Sequence, residues 1–445
     1  MIIFLESLGC SRNQVDSEIM LGKLVAKGHT LTSDPSLAQV IIVNTCTFIS
    51  TASDEAVDTI LEMAGYKKTG ACERLIATGC LAQRYKDDDL VSTLPEVDAF
   101  LGTGACDRIV QAVEGKTVEP LTLFPDPNQR SFQDLTEKRQ LADEIFAYIK
   151  VSEGCNQKCT YCIIPKLRGT QRSRPVEDIC KEGKILVSQG IKEIILTAEN
   201  TTDYGQDLND GTGFETVLFS LSDTLNQMPN KSPVWIRYLY THPVTLSKAV
   251  INVTASFKNI CSYYDVPVQH ASSSILKKMG RPYTTEDLYD LFKTIRELDP
   301  DASLRTTIIA GFPGETDQDF DILMKFIEDI GFDHLGVFTY SDSTDLPSHC
   351  LKDHVPEQIA EQRYDQLMAA QARISERVNQ RHVGRIYDVL VEEHPEPGVY
   401  IGRTMFQAPE VDGMTFIYAE ELEINTIVRV RITDAYEYDI AGELA

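Results

Sequence analysis

Three cysteines stand within eight residues near the middle of the 445-residue chain. Cys155, Cys159 and Cys162 have the spacing C-x3-C-x2-C, and they directly follow an apolar run at 145–151 that predicts a buried strand. Three thiolates so close together can bind three irons of a four-iron cluster and leave the fourth iron open. A structural zinc site is the alternative, but it needs a fourth protein ligand, and no cysteine or histidine follows at the usual spacing. The motif therefore favours an iron–sulfur cluster at the end of a strand.

The residues around this motif alternate predicted strands with helical stretches six times. The predicted strands lie at 145–151, 191–197, 234–240, 261–266, 303–310 and 334–340. Right-handed crossovers between parallel strands would wind them into an open barrel whose functional loops lie at the carboxyl ends of the strands. Six units are too few for a closed eight-stranded barrel. The sequence thus predicts an open (β/α)6 partial TIM barrel over residues 144–355.

The amino-terminal residues 1–118 also alternate apolar runs with helix-like stretches, which predicts a doubly wound α/β domain. Three of these runs are each followed closely by a cysteine, and the three thiols belong to Cys10, Cys46 and Cys80. The carboxyl ends of such strands open onto one crevice, so the three thiols can meet there. Scattered cysteines are also commonly buried as small hydrophobic residues, and their spacing alone does not decide between the two interpretations.

The remaining residues divide into three segments. Residues 119–143 contain three prolines before a polar run and predict a linker. Residues 356–381 predict a long helix that joins the barrel to the carboxyl-terminal segment. Within that segment, 382–445, short β-rich runs lie between turns at 386–391, 400–405, 414–418, 427–432 and 438–440. These runs predict a small antiparallel β-barrel.

The composition narrows the possible partners. The chain has 42 Lys and Arg against 67 Asp and Glu, a formal net charge of −25, which disfavours broad binding to nucleic acids or anionic membranes. The amino terminus has no basic signal-peptide region, and no run reaches the ~18 apolar residues of a membrane span. We therefore expect a cytoplasmic protein with a basic partner. The cytoplasm is a reducing compartment, so we expect clustered thiols among the eleven cysteines to bind metal or take part in catalysis rather than form disulfides.

The central motif resembles that of the radical S-adenosylmethionine (SAM) superfamily, in which an aromatic residue, here Tyr161, precedes the last cysteine. The resemblance implies a [4Fe-4S] cluster on the three central cysteines. Its open iron would chelate S-adenosyl-L-methionine, and its electron would split the sulfonium to give a 5′-deoxyadenosyl radical. Residues 311–315 (Gly-Phe-Pro-Gly-Glu) resemble the loop that passes the adenosine, so Gly311 and Gly314 join Tyr161 as candidates for cofactor binding. A tight turn before a capped helix also explains the two glycines.

Residues 7–18, 44–46 and 78–80 resemble the amino-terminal domain of the methylthiotransferases. The resemblance continues through the central barrel into a terminal barrel like the TRAM module. It implies a second [4Fe-4S] cluster on Cys10, Cys46 and Cys80 that carries the sulfur to be transferred, with one SAM as methyl donor and one as radical source. The acceptor is an unactivated carbon without a usable pKa, so we nominate no general base.

Methylthiotransferases modify either an adenosine next to the transfer RNA anticodon or the β-carbon of an aspartate in ribosomal protein S12. Residues 265–270 and 336–341 resemble the second group. From 383 to 445 the chain has four basic and thirteen acidic residues, which suits a basic ribosomal protein and opposes stable binding of nucleic acid. A merely soluble acidic face explains this charge as well.

We therefore expect two partners: ribosomal protein S12, on the ribosome or its small subunit, and an electron donor. A transfer RNA adenosine methylthiotransferase is the alternative within the family. From a different class, a non-catalytic metal-binding adaptor that recognises ribosomes is also consistent with the pattern.

A basic run follows the central cysteines. Lys166, Arg168, Arg172 and Arg174 predict a solvated basic loop, or one that offsets the charge of a substrate or cofactor. Two other segments depart from the usual family pattern, because Ser-Arg at 11–12 stands where Pro-Lys is common and Ala-Glu-Asn at 198–200 stands where many relatives have Gln-Asp. The second departure leaves open which residue of that loop contacts the methionine of SAM.

Overall fold

The computed structural model describes residues 1–115, 120–130, 139–142, 145–229 and 233–445. These residues form an amino-terminal parallel sheet, a central open barrel and a carboxyl-terminal closed barrel. This architecture confirms the predicted fold class, whereas the predicted domain boundaries stay a prediction. Among the described residues, none of the helices combines the length and the apolar character that a bilayer crossing requires.

Within residues 1–115 and 120–130, the amino-terminal part forms six strands and five helices. The strands are β1 (Ile2–Ser7), β2 (Thr30–Leu31), β3 (Val40–Thr45), β4 (Arg74–Gly79), β5 (Ala99–Leu101) and β6 (Leu121–Leu123). The helices are α1 (Ser11–Ala26), α2 (Ser50–Thr69), α3 (Cys80–Arg84), α4 (Leu90–Thr93) and α5 (Ile109–Glu114). The strands are all parallel, in the order β2-β1-β3-β4-β5-β6.

Both faces of this sheet are covered because successive side chains of a strand point in opposite directions. Val40 and Ile42 of β3 pack on one face with residues of α1 and α5. Ile41 and Val43 point to the other face and pack with residues of α2. The sheet is therefore doubly wound, and the loops after its strands collect at its carboxyl edge.

Part of the predicted linker over 119–143 is a strand of the first sheet. Leu121–Leu123 form β6, which pairs in parallel with β5 at the edge of the sheet. A 3-10 turn follows at Pro127–Gln129, and Arg130 is buried. Three stretches within or directly after the predicted linker lie outside the described residues, namely 119, 131–138 and 143–144. A run of three residues is too short to show a period, so the strand was not visible in the sequence.

The described residues of the central part form eight strands and seven helices. Its strands are β7 (Phe146–Lys150), β8 (Ser152–Glu153), β9 (Arg172–Ser173), β10 (Glu193–Thr197), β11 (Trp235–Tyr238), β12 (Tyr263–Asp265), β13 (Ser303–Ala310) and β14 (His334–Thr339). Its helices are α6 (Ile164–Arg168), α7 (Val176–Ser188), α8 (Phe214–Asn226), α9 (Lys248–Ser256), α10 (Ser273–Lys278), α11 (Thr285–Leu298) and α12 (Asp317–Ile330).

Six of these strands build the open barrel. β7, β10 and β11 form one parallel sheet, and β12, β13 and β14 form a second. A parallel bridge between Ile236 and Ile260 lies where the two sheets meet. β8 and β9 pair with each other as a small antiparallel ribbon after β7. All six predicted barrel strands are thus present.

The carboxyl-terminal part begins with one long helix, α13 (Glu357–Asn379). Its strands are β15 (Ile386–Glu396), β16 (Val399–Thr404), β17 (Thr415–Tyr418), β18 (Ile427–Ala435) and β19 (Ile440–Leu444). They close into a barrel in the order β15-β16-β17-β19-β18. Its pairs are antiparallel except for β17 with β19, which run parallel.

The inner side of the central barrel is filled by its two neighbours. Val15 and Ile19 of α1 share a buried cluster with Trp235 and Tyr263 of the barrel and Ala408 of the terminal part. An ion pair between Arg305 and Asp412 (2.6 Å) adds a charged contact at the same boundary. The three parts therefore pack as one body around the open barrel, and the carboxyl ends of the first sheet meet those of the barrel strands.

Candidate active site

Cys10, Cys46 and Cys80 follow β1, β3 and β4, which are three adjacent strands of the first sheet. β3 pairs in parallel with β1 on one side and with β4 on the other, so the three strands end at the same edge. Cys10 precedes the first residue of α1, and Cys80 is the first residue of α3. The structure thus brings together the three cysteines that the sequence places 36 and 34 residues apart.

Two glycines make this close approach possible. Gly9 has a φ of +90°, and a β-carbon there would lie 2.6 Å from Cβ and 2.9 Å from Sγ of Cys46. Gly79 has a φ of +97°, and a β-carbon there would lie 2.4 Å from Oδ1 of Asn44. Both positions need a residue without a side chain, because left-handed φ and close contact coincide. The backbone is therefore shaped for three converging thiols.

Asn13 and Arg168 hold the loops of this triad together. The Asn13 amide donates to the carbonyl oxygens of Leu8 and Thr45, both at 2.9 Å. Its Oδ1 accepts from Nη2 of Arg168 at 2.6 Å and lies 3.9 Å from Sγ of Cys80. Nη2 of Arg168 also lies 3.9 Å from the Cys80 sulfur. Arg168, a residue of the central barrel, thus contacts the thiol of Cys80 in the first sheet.

The three thiols of the first triad differ in their ionisation. Burial opposes the anion of Cys10, but the guanidinium groups of Arg12 and Arg168 outweigh it and hold the pKa of Cys10 below 9.0. Burial raises the pKa of Cys46 and raises that of Cys80 to about 12, and the nearby Cys10 adds to both shifts. The thiols are close enough to influence one another, and two arginines favour negative charge among them.

Cys155, Cys159 and Cys162 lie on the loop between β8 and α6. Gly154 has a φ of +77°, and a β-carbon there would lie 2.1 Å from the carbonyl oxygen of Thr170. The backbone amide of Gln157 donates to Sγ of Cys155 at 3.4 Å. Burial raises the pKa of Cys155 to about 11 and that of Cys162 to about 12, with contributions from the other thiols of the triad. This loop is therefore folded around the three predicted ligands.

Tyr161 is fixed from two sides. Nε and Nη2 of Arg281 donate to its hydroxyl at 3.0 and 2.6 Å. Its ring meets that of Phe312 edge to face, with centroids 6.1 Å apart. The segment with Gly311 and Gly314 therefore adjoins the cysteine loop.

The two glycines of that segment are close to other parts of the chain. Gly311 and Gly314 have φ values of +75° and +78°. A β-carbon at Gly311 would lie 2.4 Å from Cβ of Ala360, and one at Gly314 would lie 2.1 Å from Nζ of Lys278. Packing inside the protein already explains both glycines, so their contact with the adenosine stays a prediction.

The two triads adjoin one region at the boundary between the first sheet and the barrel, which we call the chamber. Cys80 packs against Ile163, the residue after Cys162, in one buried cluster. Arg12, which contacts Cys10 electrostatically, also lies 3.5 Å from Glu199 through its Nε and an acid oxygen. Glu199 follows β10, and its charge adds to the raised pKa of Cys155. One residue pair therefore connects the surroundings of both triads.

The two segments for which a departure from the family pattern was expected, 11–12 and 198–200, meet at the Arg12 and Glu199 contact. Nη1 of Arg12 donates to the carbonyl of Ala198 at 2.9 Å, and Oγ of Ser11 lies 3.2 Å from Oγ1 of Thr197. The unusual Ser-Arg and Ala-Glu-Asn segments thus face each other across the boundary between the first sheet and the barrel. The sequence showed both departures but not that they are in contact.

Several buried polar atoms beside the barrel cysteines have no hydrogen-bond partner among the described residues. They are both acid oxygens of Glu199, Nδ2 of Asn200, Nε2 of His242 and Oε1 of Gln171. Burial, and then Arg281, lower the pKa of His242 to about 3, so its ring is neutral. A ligand with amino, carboxylate and ring nitrogen groups, as SAM has, would satisfy such donors and acceptors. The set of donors and acceptors thus fits that cofactor, and His242 was not among the candidates that the sequence indicated.

Two of the four basic residues that follow the central cysteines are buried and not solvated. Arg168 and Arg174 are only 3% and 0% exposed. Arg174 pairs with Glu182 at 2.6 Å, and Arg168 pairs with Asp16 at 2.9 Å. The prediction of a solvated loop is therefore wrong for these two arginines, because buried carboxylates from distant segments neutralise them.

The six thiols can act as cluster ligands rather than as ligands of one ion. Within the described ranges, no three His, Cys, Asp or Glu side chains stand in a geometry that would hold a single metal ion. In a [4Fe-4S] cluster each cysteine binds its own iron, so the ligand sulfurs stand farther apart than around one ion. Two triads of thiols, with Arg12 and Arg168 beside the first and Arg281 beside the second, fit that group, and the assignment of the six ligands is a proposal.

Comparisons with known protein families define the class. Residues 149–327 match the radical SAM superfamily, residues 383–445 match the TRAM domain, and residues 2–102 match a family described as "Uncharacterized protein family UPF0004". The chain is thus a radical SAM protein with a TRAM domain.

Similar sequences then define the family. The ribosomal protein uS12 methylthiotransferase RimO of Desulfosudis oleivorans is 49% identical over 100% of both chains. RimO of Clostridioides difficile is 45% identical over 99% of this chain and 98% of its own. RimO of Geobacter sulfurreducens is 42% identical over 98% and 97%. The chain belongs to the RimO family of methylthiotransferases, and these names do not favour the transfer RNA alternative.

Solved structures share the fold. The radical SAM methyltransferase TsrM from Kitasatospora setae superposes with a TM-score of 0.59 at 13% identity, covering 84% of this chain and 89% of that one. The cobalamin-dependent SAM radical enzyme OxsB superposes with a TM-score of 0.51, covering 84% and 56%. At these identities the likeness concerns the fold alone.

Proposed function

We propose that this protein is a radical SAM methylthiotransferase that adds a methylthio group to the β-carbon of an aspartate in ribosomal protein uS12. One SAM would donate the methyl group, and a second would provide the 5′-deoxyadenosyl radical. The proposal is carried by one observation: both cysteine triads adjoin the same chamber, with Cys80 packed on Ile163 and Arg12 beside Glu199. A sulfur held at one triad is thereby close to chemistry that starts at the other.

Each triad would hold one [4Fe-4S] cluster with an open iron. When bound, the cluster on Cys155, Cys159 and Cys162 supplies the electron that splits SAM, and the cluster on the first triad supplies the sulfur site. The residues of the chain bind and orient the reactants around these groups. No side chain has to remove a proton from the substrate carbon, which agrees with the lowered pKa of His242, because a low pKa makes its imidazole a weak base.

The surroundings of the chamber suit the exclusion of water and the positioning of SAM. Nδ2 of Asn200 and Nε2 of His242, which have no hydrogen-bond partner among the described residues, lie on the loops after β10 and β11, where SAM would be oriented. Phe312 and Tyr161 form an apolar contact beside the cysteine loop. A closed and oriented site of this kind protects a carbon radical from side reactions.

The terminal barrel suits a basic protein substrate. Ten acidic side chains of residues 383–445 are exposed, against three exposed arginines, Arg385, Arg429 and Arg431. Of the other acidic groups, Asp412 is turned inward to Arg305, and Glu392 pairs with Arg403. A surface with this excess attracts a basic ribosomal protein and repels phosphate, so we infer no stable nucleic-acid binding by the protein alone. The protein would work in the cytoplasm, on the ribosome or its small subunit, with a separate electron donor.

The test is reconstituted enzyme with dithionite, SAM and a sulfide source, given either a uS12 segment or transfer RNA. We expect a mass gain of one methylthio group on the aspartate of the uS12 segment and unchanged RNA. A modified adenosine with an unmodified protein segment would contradict the proposed substrate. Iron and acid-labile sulfide in the same sample would separate the enzyme from a zinc-binding adaptor, which would contain no sulfide.

Two matched variants divide the reaction. Cys10→Ala should still cleave SAM to 5′-deoxyadenosine but should transfer no sulfur. Cys159→Ala should lose both activities, because the electron that splits SAM comes from the barrel triad. Equal SAM cleavage by the two variants would contradict the division of roles between the triads.

A further inference from the structure

Seven charged side chains lie buried between the first sheet and the barrel, close to the chamber. We call them the interface ion cluster: Arg12, Asp16, Arg130, Lys150, Glu153, Arg168 and Glu199. Their side chains are at most 12% exposed. Lys150 contacts both Asp16 and Glu153, and Arg130 lies 2.7 Å from Asp16. The cluster has four cations and three carboxylates, so it has one positive charge in excess.

Excess buried charge is unfavourable unless an opposite charge lies near it. Nη2 of Arg168 lies 3.9 Å from Sγ of Cys80, so the excess positive charge adjoins a thiol of the first triad. A [4Fe-4S] cluster held by three thiolates is itself anionic. The excess positive charge of the interface ion cluster is therefore opposite in sign to the charge of a [4Fe-4S] cluster on the first triad.

Arg168 is the member of the interface ion cluster that reaches a thiol sulfur. It is the last residue of α6, which follows the barrel cysteines, yet its Nη2 lies 3.9 Å from Sγ of Cys80 in the first sheet. The guanidinium plane is fixed by Asn13 at 2.6 Å and Asp16 at 2.9 Å. Because these contacts come from α1, the orientation of Arg168 depends on the packing of α1 against the barrel.

We propose that Arg168 is a positioning residue for the cluster of the first triad, donating a hydrogen bond to the sulfur of Cys80 and raising the reduction potential of that cluster. The inference rests on the proposed function, namely that Cys10, Cys46 and Cys80 bind a [4Fe-4S] cluster. Hydrogen bonds to cysteine sulfur and nearby positive charge favour the reduced, more negative state of a cluster. The barrel thereby sets the redox state of a cofactor that the first sheet holds.

This arrangement makes the potential of the first cluster dependent on the contact between the two parts. If α1 moved away from the barrel, Arg168 would leave Cys80, and the cluster would become harder to reduce. Correct packing of the two parts is thus coupled to the reduction potential of the first cluster.

The experiment uses the full chain with Cys155→Ala, Cys159→Ala and Cys162→Ala, so that only the first triad can hold a cluster. The midpoint potential is measured by a redox titration followed by electron paramagnetic resonance. We expect Arg168→Gln to shift the midpoint potential to a more negative value. Arg168→Lys keeps the positive charge but loses the planar guanidinium group, so it should shift the potential less. Resonance Raman should show a shifted iron–sulfur(Cys) stretch in both variants.

Arg174→Gln is the matched control. Arg174 belongs to the same basic run and is fully buried, but its contacts are with Glu182 and the Lys150 carbonyl. Glu182 keeps Arg139 as a partner at 3.0 Å when Arg174 is removed. The control should leave the midpoint potential and the stretch close to those of the parent.

The outcomes separate the inference from the proposed function. A parent protein without iron and acid-labile sulfide would overturn the first cluster and the inference with it. A parent with a cluster whose potential is the same in Arg168→Gln, or shifts equally in Arg174→Gln, would overturn the inference alone. Should Arg168→Gln assemble no cluster, Arg168→Lys decides, since an unchanged potential there contradicts the hydrogen bond to Cys80.

Discussion

The two cysteine triads reach the chamber by different structural routes. The barrel triad lies on one loop of eight residues, so its geometry is set locally by Gly154 and the backbone around Cys155. The first triad comes from three strands and exists only when β1, β3 and β4 pair in the observed register. A local site can be read from spacing, whereas a site assembled by tertiary structure depends on contacts that spacing does not encode.

The triads also differ in charge. Arginines from both sides of the boundary surround the first triad, and the pKa of one of its thiols is lowered. In the barrel triad, burial raises the pKa of both Cys155 and Cys162. The first triad is thus tied electrostatically to the packing of the molecule, and the barrel triad is less so. Substitutions at the boundary and within each triad test that difference.

Removal of Asp16 should have the largest effect. Asp16→Asn leaves Arg130, Lys150 and Arg168 without their shared carboxylate, and breaking such buried pairs costs about 3–5 kcal/mol. Urea unfolding of the cluster-free protein measures the loss, with Asp58→Asn on the exposed face of α2 as control. A loss no larger than that of the control would show that the interface ion cluster does not stabilise the boundary.

Acid should weaken the same boundary. Burial alone would raise the pKa of Asp16 and of Glu153, but the nearby cations outweigh it and hold both below their usual values of 3.8 and 4.5. A carboxyl with a depressed folded pKa adds stability that is present above its unfolded pKa and lost as pH falls through the folded one. Unfolding of the cluster-free protein at pH 7 and pH 4 should show this loss beginning, and Asp16→Asn should reduce the difference.

Glycine substitutions should damage one triad at a time. Gly9→Ala should abolish iron binding at the first triad and Gly154→Ala that at the barrel triad, because each new β-carbon meets atoms that shape its own site. Strain of this kind costs about 1–3 kcal/mol. Gly28→Ala is the control, since Gly28 has a φ of +86° but open space around its β-carbon position. Iron loss in Gly28→Ala would indicate a general effect of strain.

Arg84→Ala should have the smallest effect. Arg84 of α3 donates to both carboxylate oxygens of Asp345, at 3.1 and 2.6 Å, across the boundary between the first sheet and the segment after β14. The pair is partly exposed, so its loss should cost about 1 kcal/mol. Lys325→Ala, which removes an exposed pair with Asp329, is the control at about 0.3–0.5 kcal/mol. A loss as large as that of Asp16→Asn would contradict the ranking of these contacts.

Much of the fold could be predicted because hydrophobic periods are local. All six barrel strands and four strands of the closed barrel were visible as apolar or β-rich runs, and the long helix was visible from apolar residues near helical spacing. The predicted run at 438–440 meets β19 only at Ile440. β6 was not visible, because Leu121–Leu123 gain their strand form from pairing with β5 and not from their own pattern.

The candidate site was less visible to sequence reasoning. The barrel cysteines stood out by spacing, but Cys10, Cys46 and Cys80 were grouped by placement after strands and by resemblance. Asp16 and Lys150, buried together at the boundary, were missed because a charged residue on an amphipathic helix or strand ordinarily faces solvent. The one available signal was the polar start of α1, where Asn13 and Asp16 occupy positions that a buried helix face would give to apolar residues.

Iron and acid-labile sulfide counts in two triple variants test the central claim most directly. The unaltered protein should hold about eight irons after reconstitution. The variant with Cys10, Cys46 and Cys80 all changed to Ala should hold about four. The variant with Cys155, Cys159 and Cys162 all changed to Ala should also hold about four. If the first triple variant kept the full iron content of the unaltered protein, the three strand-end cysteines would not be ligands, and the account of two clusters at one chamber would be wrong.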